Sequence, residues 1–313
     1  IYGFHPFWMG NAYYNYNFEI YNRIAYYGYI IDPSDGGDLS TFGDIQAHSW
    51  TSSTIQFKAN YYNCKVDLCV ASYDIENNIK IFENTPKALE VRQNVIENIV
   101  TLVRAKGNGV CFDIQKVPNQ YKSNYISLIQ SVNNQLNEGA ATEKGNKKFQ
   151  ITVLIPRYDV GFPYSMTVDD ANALESHVDR WIFSAESTYG NTFSEGQINE
   201  SNMYAFWNYD QIDFELNVLP PNVFENLLLE IPFYYAKSKS TELDTSIIIS
   251  KFLDMDRIYP EFSSIFNDAL REKLTYVDLK GINGVATWCI GYDNNHKSIF
   301  KNLVDFITVS YTH

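Results

Sequence analysis

Basic residues are scarce in this 313-residue chain: 24 Lys and Arg face 37 Asp and Glu, a formal net charge of −13. No run of Lys or Arg offsets that acidity locally, so a nucleic-acid backbone or an anionic membrane surface would repel the protein, which excludes both as partners. Cysteine is scarce as well. Cys64, Cys69, Cys111 and Cys289 are too few for a disulfide framework and fix no redox compartment. Only Cys64 and Cys69 are near each other in sequence, a C-x-x-x-x-C without a second ligand pair or a flanking His. No metal and no cofactor is expected, and the disulfide state of Cys64 and Cys69 stays open. No stretch approaches the ~18 apolar residues that a membrane span needs. No charged-then-apolar leader precedes Ile1 and the chain opens in strand-like residues, IYGFHPFWM. An export signal or anchor is therefore expected to have been trimmed away or never to have existed.

Several chemistries are absent by motif. There is no G-x-G-x-x-G after the first apolar run, no G-x-x-x-x-G-K and no G-x-S-x-G. The five histidines (His5, His48, His177, His296, His313) show no H-x-x-x-H spacing, which sets aside zinc proteases along with serine hydrolases. No repeat at solenoid periods and no Gly-, Ser- or Pro-rich linker divides the chain.

What the chain has is aromatic rings: 24 Tyr, 20 Phe and 5 Trp, more than a core requires. Strand propensity of tyrosine accounts for part of the excess. The remainder points to ring faces that meet a ligand; such faces stack on bases, cations and the C–H faces of sugars, and the negative charge argues against bases.

Apolar strand-like runs fall at Ile1–Met9, Ile24–Ile31, Lys65–Tyr73, Gly109–Gln115, Phe149–Pro156, Val178–Glu186, Leu227–Tyr235 and Gly281–Ile290. Between several of them lie amphipathic patterns, the clearest from Pro86 to Lys106. There Thr85 is placed to cap, Pro86 to occupy the first helical position, Val95, Ile96, Ile99, Val100 and Val103 to line one face, and Gly107 to end the helix. Further candidates are Tyr121–Leu136, Pro221–Leu227, Glu261–Leu274 and Lys297–Ile307. Eight such strands alternating with helices predict an α/β fold, a (β/α)8 TIM barrel over residues 1–313 as a single domain, with an insertion at about 188–220 after the sixth strand. A doubly wound open sheet is the structural runner-up, and it lacks the glycine motifs such sheets use.

Reactive groups of such barrels sit at the C-terminal ends of strands and point inward. In the fourth run, alternation puts Val110, Phe112 and Ile114 toward the helices and Cys111, Asp113 and Gln115 toward the barrel axis. A carboxylate buried there must be hydrogen-bonded or functional.

At this point the chain resembles glycoside hydrolase family 18, the chitinase and endo-N-acetylglucosaminidase family. The segment G-V-C-F-D-I-Q-K-V-P at 109–118 resembles that family's D-x-x-D-x-D-x-E signature. Tyr2-Gly3-Phe4-His5-Pro6-Phe7-Trp8 and Arg23-Ile24-Ala25-Tyr26-Tyr27-Gly28-Tyr29 look like the first two strands of secreted bacterial members. Ile231-Pro232-Phe233-Tyr234 looks like the seventh strand. Gly281 to Trp288 is similar to the eighth, which in the family ends on a tryptophan under the sugar.

The resemblance implies a family catalytic apparatus that has degenerated here. Asn108 stands at the first signature Asp, Cys111 at the second, Asp113 at the third, and Gln115 at the catalytic Glu. In the family that Glu protonates the glycosidic oxygen while the substrate's own acetamido carbonyl attacks the anomeric carbon, a substrate-assisted route. A glutamine amide hydrogen-bonds the same oxygen but has no such proton to give. Phe183-Ser184-Ala185-Glu186 also replaces the family's Met-x-Tyr-Asp. The expectation is a pseudoenzyme, extracytoplasmic, that binds an N-acetylglucosamine-containing glycan through Trp288, Asp113, Gln115, Glu186, Tyr234 and Trp8, with no catalytic residue functional. Trp288 serves either as a stacking platform or as a plug of the barrel's top layer.

Two alternatives stand beside this reading. A living hydrolase would use a displaced carboxylate, with Glu186, Asp74, Asp159 and Asp293 as candidates and Glu186 paired with Asp113 at the separations that glycosidases use. A protein-interaction scaffold would present its acidic aromatic surface to an extracellular partner.

Overall fold

The computed structural model describes residues 1–41, 50, 52, 54–138, 148–155, 166–183, 209–232, 234–241, 244–251, 262–290 and 297–310. Eight of its strands close a parallel barrel: β1 (Tyr2–Pro6), β2 (Arg23–Asp32), β4 (Lys65–Ser72), β5 (Gly109–Ile114), β6 (Gln150–Ile155), β7 (Arg180–Phe183), β8 (Leu227–Pro232) and β11 (Gly284–Trp288). They pair in that order, and β1 closes the ring by pairing β2 on one side and β11 on the other. Seven of the apolar runs read from the sequence contain one of them, and β2 extends the Ile24–Ile31 run by one residue at each end. The reason is burial: strands with a helix layer outside and a packed lumen inside are covered on both faces and need apolar residues at nearly every position.

The helix at Pro86–Lys106 forms over the residues its signals indicate. The Thr85 hydroxyl accepts from the Ala88 amide at 3.2 Å, Pro86 opens the first turn, and Val95, Ile96, Ile99, Val100 and Val103 are buried. Lys122–Leu136, Phe262–Leu279 and Lys297–Ser310 form the other long helices. Pro221–Phe224 makes a single turn. Shorter elements, not foreseen, are the helices Thr54–Tyr61, Ile75–Phe82, Val168–Leu174 and Tyr209–Asn217. The last belongs to the insertion expected at 188–220, whose residues 188–208 lie outside the described residues. A short strand β3 (Asp38–Thr41) pairs antiparallel with the end of β2. A separate antiparallel hairpin, β9 (Tyr234–Thr241) with β10 (Asp244–Lys251), follows β8.

Side chains separate into two apolar layers as alternation requires. Val110, Phe112 and Ile114 join the layer between sheet and helices, while Cys111 joins Tyr2, Phe4, Ala25, Tyr27, Cys69, Ala71, Leu154, Ile182 and Ala286 in the lumen. The N-terminal end of the lumen is charged. Arg23 donates from Nε to Asp67 Oδ2 at 2.8 Å, from Nη1 to Gln150 Oε1 at 2.9 Å and from Nη2 to both Asp67 Oδ1 and the Asn108 carbonyl. Tyr2 Oη donates to Asp67 Oδ2 at 3.0 Å, and Arg180 donates to Gln150. Gly109 lies against this cluster: a Cβ there would stand 2.2 Å from the Gln150 carbonyl and 2.7 Å from Asp67 Oδ1.

Candidate functional site at the mouth of the barrel

The opposite, C-terminal end of the lumen gathers one carboxylate, one amide and a wall of rings. Asp113 is 3% exposed. Its Oδ1 accepts from Gln115 Nε2 at 2.8 Å, its Oδ2 accepts from Tyr73 Oη, and Tyr73 Oη is hydrogen-bonded in turn to Tyr27 Oη. Burial pushes the Asp113 carboxyl up to about 7, with the Gln115 amide pulling it back. Gln115 is held by its backbone: its amide donates to the Ser72 carbonyl at 2.8 Å and its carbonyl accepts from Asn78 Nδ2. Immediately after it, Lys116 turns the chain out of the strand at a φ of 59°, a left-handed conformation uncommon for a residue with a side chain.

Cys111 sits one layer deeper, in register with Cys69 on β4. The two buried thiols are hydrogen-bonded to each other, and burial together with Cys111 raises Cys69 well above the usual thiol range. All four cysteines are free; Cys64 packs outside the barrel, and Cys69 has Cys111 rather than Cys64 as its neighbour. Asn108 lies at the other end of the strand from the mouth, where its side chain accepts from the Val66 amide at 2.9 Å and its carbonyl accepts from Arg23.

Trp288, the last residue of β11, packs its ring 4.9 Å from Tyr27, 5.1 Å from Phe4 and 6.3 Å from Trp8. Trp8, two residues past the end of β1, is 47% exposed. Rings from β1, β2, β11 and the residues just after β1 thus build one aromatic wall, joined to Asp113 through the Tyr27 and Tyr73 hydroxyls. Tyr27 and Tyr73 were missed by sequence reading. The available signal was the period-2 continuation of Ala25 and Ala71, which places both inside the lumen.

Of the remaining site candidates, Tyr234 begins β9 opposite Lys251, so the seventh barrel strand ends at Pro232 and does not reach Tyr234; its side chain, like Glu186, Asp159 and Asp293, lies outside the described residues. Asp74 is turned to a helix, accepting from the Asn77 amide at 2.8 Å. Another carboxylate, Glu230, was overlooked inside the apolar run LLLEIP; it is buried and shares the lumen-facing parity of Leu228. A separate cleft of about 390 Å³, open solvent included, lies at the end of β5, lined by Val117, Lys122, Tyr125 and Met166 among others. Among the described residues no three His, Cys, Asp or Glu come together as a metal site, and no helix is long and apolar enough to cross a membrane.

No family model and no curated protein matches the sequence. Solved structures match over nearly all of it. A family-18 chitinase from Cycas revoluta, a double mutant that includes a Glu→Gln change, in complex with (GlcNAc)4, superposes with a TM-score of 0.69 at 14% identity, over 99% of each chain. The spore cortex-lytic enzyme SleL of Bacillus cereus gives 0.69 at 11% identity, over 97% of this chain and 73% of its own. A chitinase from Bacteroides thetaiotaomicron gives 0.69 at 11%, over 97% and 95%. The chain therefore has the closed (β/α)8 barrel fold of the family-18 chitinases.

Proposed function

We propose that this barrel binds an N-acetylglucosamine-containing glycan against Trp288 without hydrolysing it, and that it does so outside the cytoplasm, where such polymers lie. The observation that carries the reading is the Gln115 amide, donating to Asp113 at the end of β5 where the resemblance asks for a protonated acid. Without a proton for the leaving oxygen, an acid–base contribution of ~10²–10⁴ is lost. Binding does not need that proton: rings and hydrogen-bonding groups stay in place, and a chitinase of this fold carrying a Glu→Gln change was crystallised with (GlcNAc)4.

The test is a titration with (GlcNAc)3 and (GlcNAc)4 that follows tryptophan fluorescence and analyses the same samples for cleavage. Saturable quenching without products is the expected result, with Trp288→Ala weakening binding about tenfold, equivalent to ~1.4 kcal/mol. Products would overturn the reading. Gln115→Glu by itself is expected to leave product formation at zero. The thiol of Cys111 still sits below it and the Asn108 side chain is engaged at the other end of the strand, so of the three signature aspartates only Asp113 stands beside the new acid. Turnover by that single variant would show the neighbouring positions to be dispensable.

A further inference from the structure

Away from the mouth, the helix Thr54–Tyr61 buries Ile55, Gln56 and Ala59 and shows rings on its other face, where a surface helix ordinarily carries polar residues. Phe57 and Tyr61 are each 79% exposed. Spaced i, i+4, they are neighbours about 6 Å apart along the helix axis. Tyr62 continues the row, its ring 5.0 Å from that of Tyr61 and stacked at 6.0 Å on the buried ring of Phe18. Tyr14, 55% exposed, joins it from a different segment: Lys58 lies 5.1 Å from the Tyr14 ring centroid and donates to the Tyr14 carbonyl. Each ring left in water forgoes ~1.5–3 kcal/mol of burial, and a contiguous group of them marks a binding surface.

The occupant follows from the patch's chemistry and position. Between Thr54 and Asn63 the one charged side chain is Lys58, and it is already engaged with Tyr14. The rest is flat ring faces edged by hydroxyls and by the amides of Asn60 and Asn63, which suits an uncharged ligand with both C–H faces and hydroxyls. The net charge of −13 turns away polyanions. Tyr14 also lies on the segment Phe7–Asn15, two short 3-10 pieces that meet at a kink at Gly10 and whose first piece includes Trp8 of the mouth. One segment thus carries a ring of the mouth and a ring of the patch. We infer that Tyr14, Phe57, Tyr61 and Tyr62 form a second glycan surface that holds a neutral stretch of the polymer whose N-acetylglucosamine units the mouth engages. The inference rests on the proposed mouth site for the identity of the polymer.

The experiment compares two probes, powdered chitin in a sedimentation assay and soluble (GlcNAc)3 by fluorescence, on wild type, the double variant Phe57→Ala/Tyr61→Ala, and Trp288→Ala. The double variant is expected to hold chitin about tenfold more weakly, keep its (GlcNAc)3 affinity, and unfold at the wild-type urea midpoint, because both side chains are exposed. Phe57→Tyr/Tyr61→Phe is expected to restore retention. Undiminished retention of the double variant overturns the inference, as does a wild type that chitin does not retain. If (GlcNAc)3 fails to bind but chitin retention depends on Phe57 and Tyr61, the mouth reading falls and the second surface stands.

Discussion

Arg23→Met is expected to destabilise the protein by about 3–5 kcal/mol, because removing one partner of a buried ion pair leaves the other charge uncompensated. Asp67 is fully buried, and without the guanidinium the Tyr2 hydroxyl is the one donor from this cluster that it keeps. Gln150 and the Asn108 carbonyl each lose a donor in the same step. Arg180 still reaches Gln150 and its charge is felt at Asp67, but it makes no hydrogen bond to that carboxylate among the described residues. Against a typical total of ~5–15 kcal/mol, a loss of that size is plain in a urea titration as a lower midpoint with an unchanged slope. The double variant Arg23→Met/Asp67→Leu is expected to regain part of it, since removing both charges removes the stranded one. A single variant within ~1 kcal/mol of wild type would mean that the cluster does not hold the lower barrel.

That cluster was invisible in the sequence, and the reason is register. Arg23 and Asp67 are 44 residues apart, and Arg23 and Gln150 are 127 apart. Each sits within the first three residues of its strand, where an isolated polar residue reads as the edge of an apolar run. Only the closure of eight strands brings them into one layer. Asn108 opens the signature at the start of the strand, at the far end of the barrel from Gln115, and its side chain there accepts from the Val66 amide. The eight strands and the Pro86–Lys106 helix were legible because their signals are local, continuous apolar runs in one case and a cap, a proline and a 3.6-residue stripe in the other. The hairpin Tyr234–Lys251 was not, because AKSKST reads as loop until its partner strand is known. Within the site, period-2 alternation sufficed for Cys111, Asp113 and Gln115. It did not indicate that Tyr73 would reach Asp113 or that Tyr27 would bond Tyr73 behind it.

The second large expected effect concerns the carboxyl that Tyr73 and Gln115 bond. With its pKa raised from 3.8 to about 7 in the fold, Asp113 binds its proton more tightly folded than unfolded. Its contribution to stability is therefore fully present below pH ~4 and is lost as pH rises through about 7, a loss on the order of 4 kcal/mol at ~1.4 kcal/mol for each tenfold in proton affinity. Asp113→Asn removes this dependence. The Asn carbonyl still accepts from Gln115, and Tyr73 is free to turn its proton to Tyr27, so the variant is expected to match or exceed wild type at pH 8 and to lose the advantage at pH 5. His5 works in the opposite direction. Burial lowers it from 6.5 to about 3, so it favours the fold above pH ~6.5 and costs stability as pH falls. Raw profiles mix the two; subtracting the Asp113→Asn profile from that of wild type cancels His5 and leaves Asp113. Tyr125 and Cys69, other titratable groups that feel Asp113, are both raised chiefly by burial and stay protonated across this window. A difference that is flat from pH 5 to 8 would mean that Asp113 stays ionised, its two oxygens sufficiently supplied by Gln115 and Tyr73. The mouth would then present a fixed negative charge to its ligand, where a neutral acid near pH 7 can donate a hydrogen bond of its own.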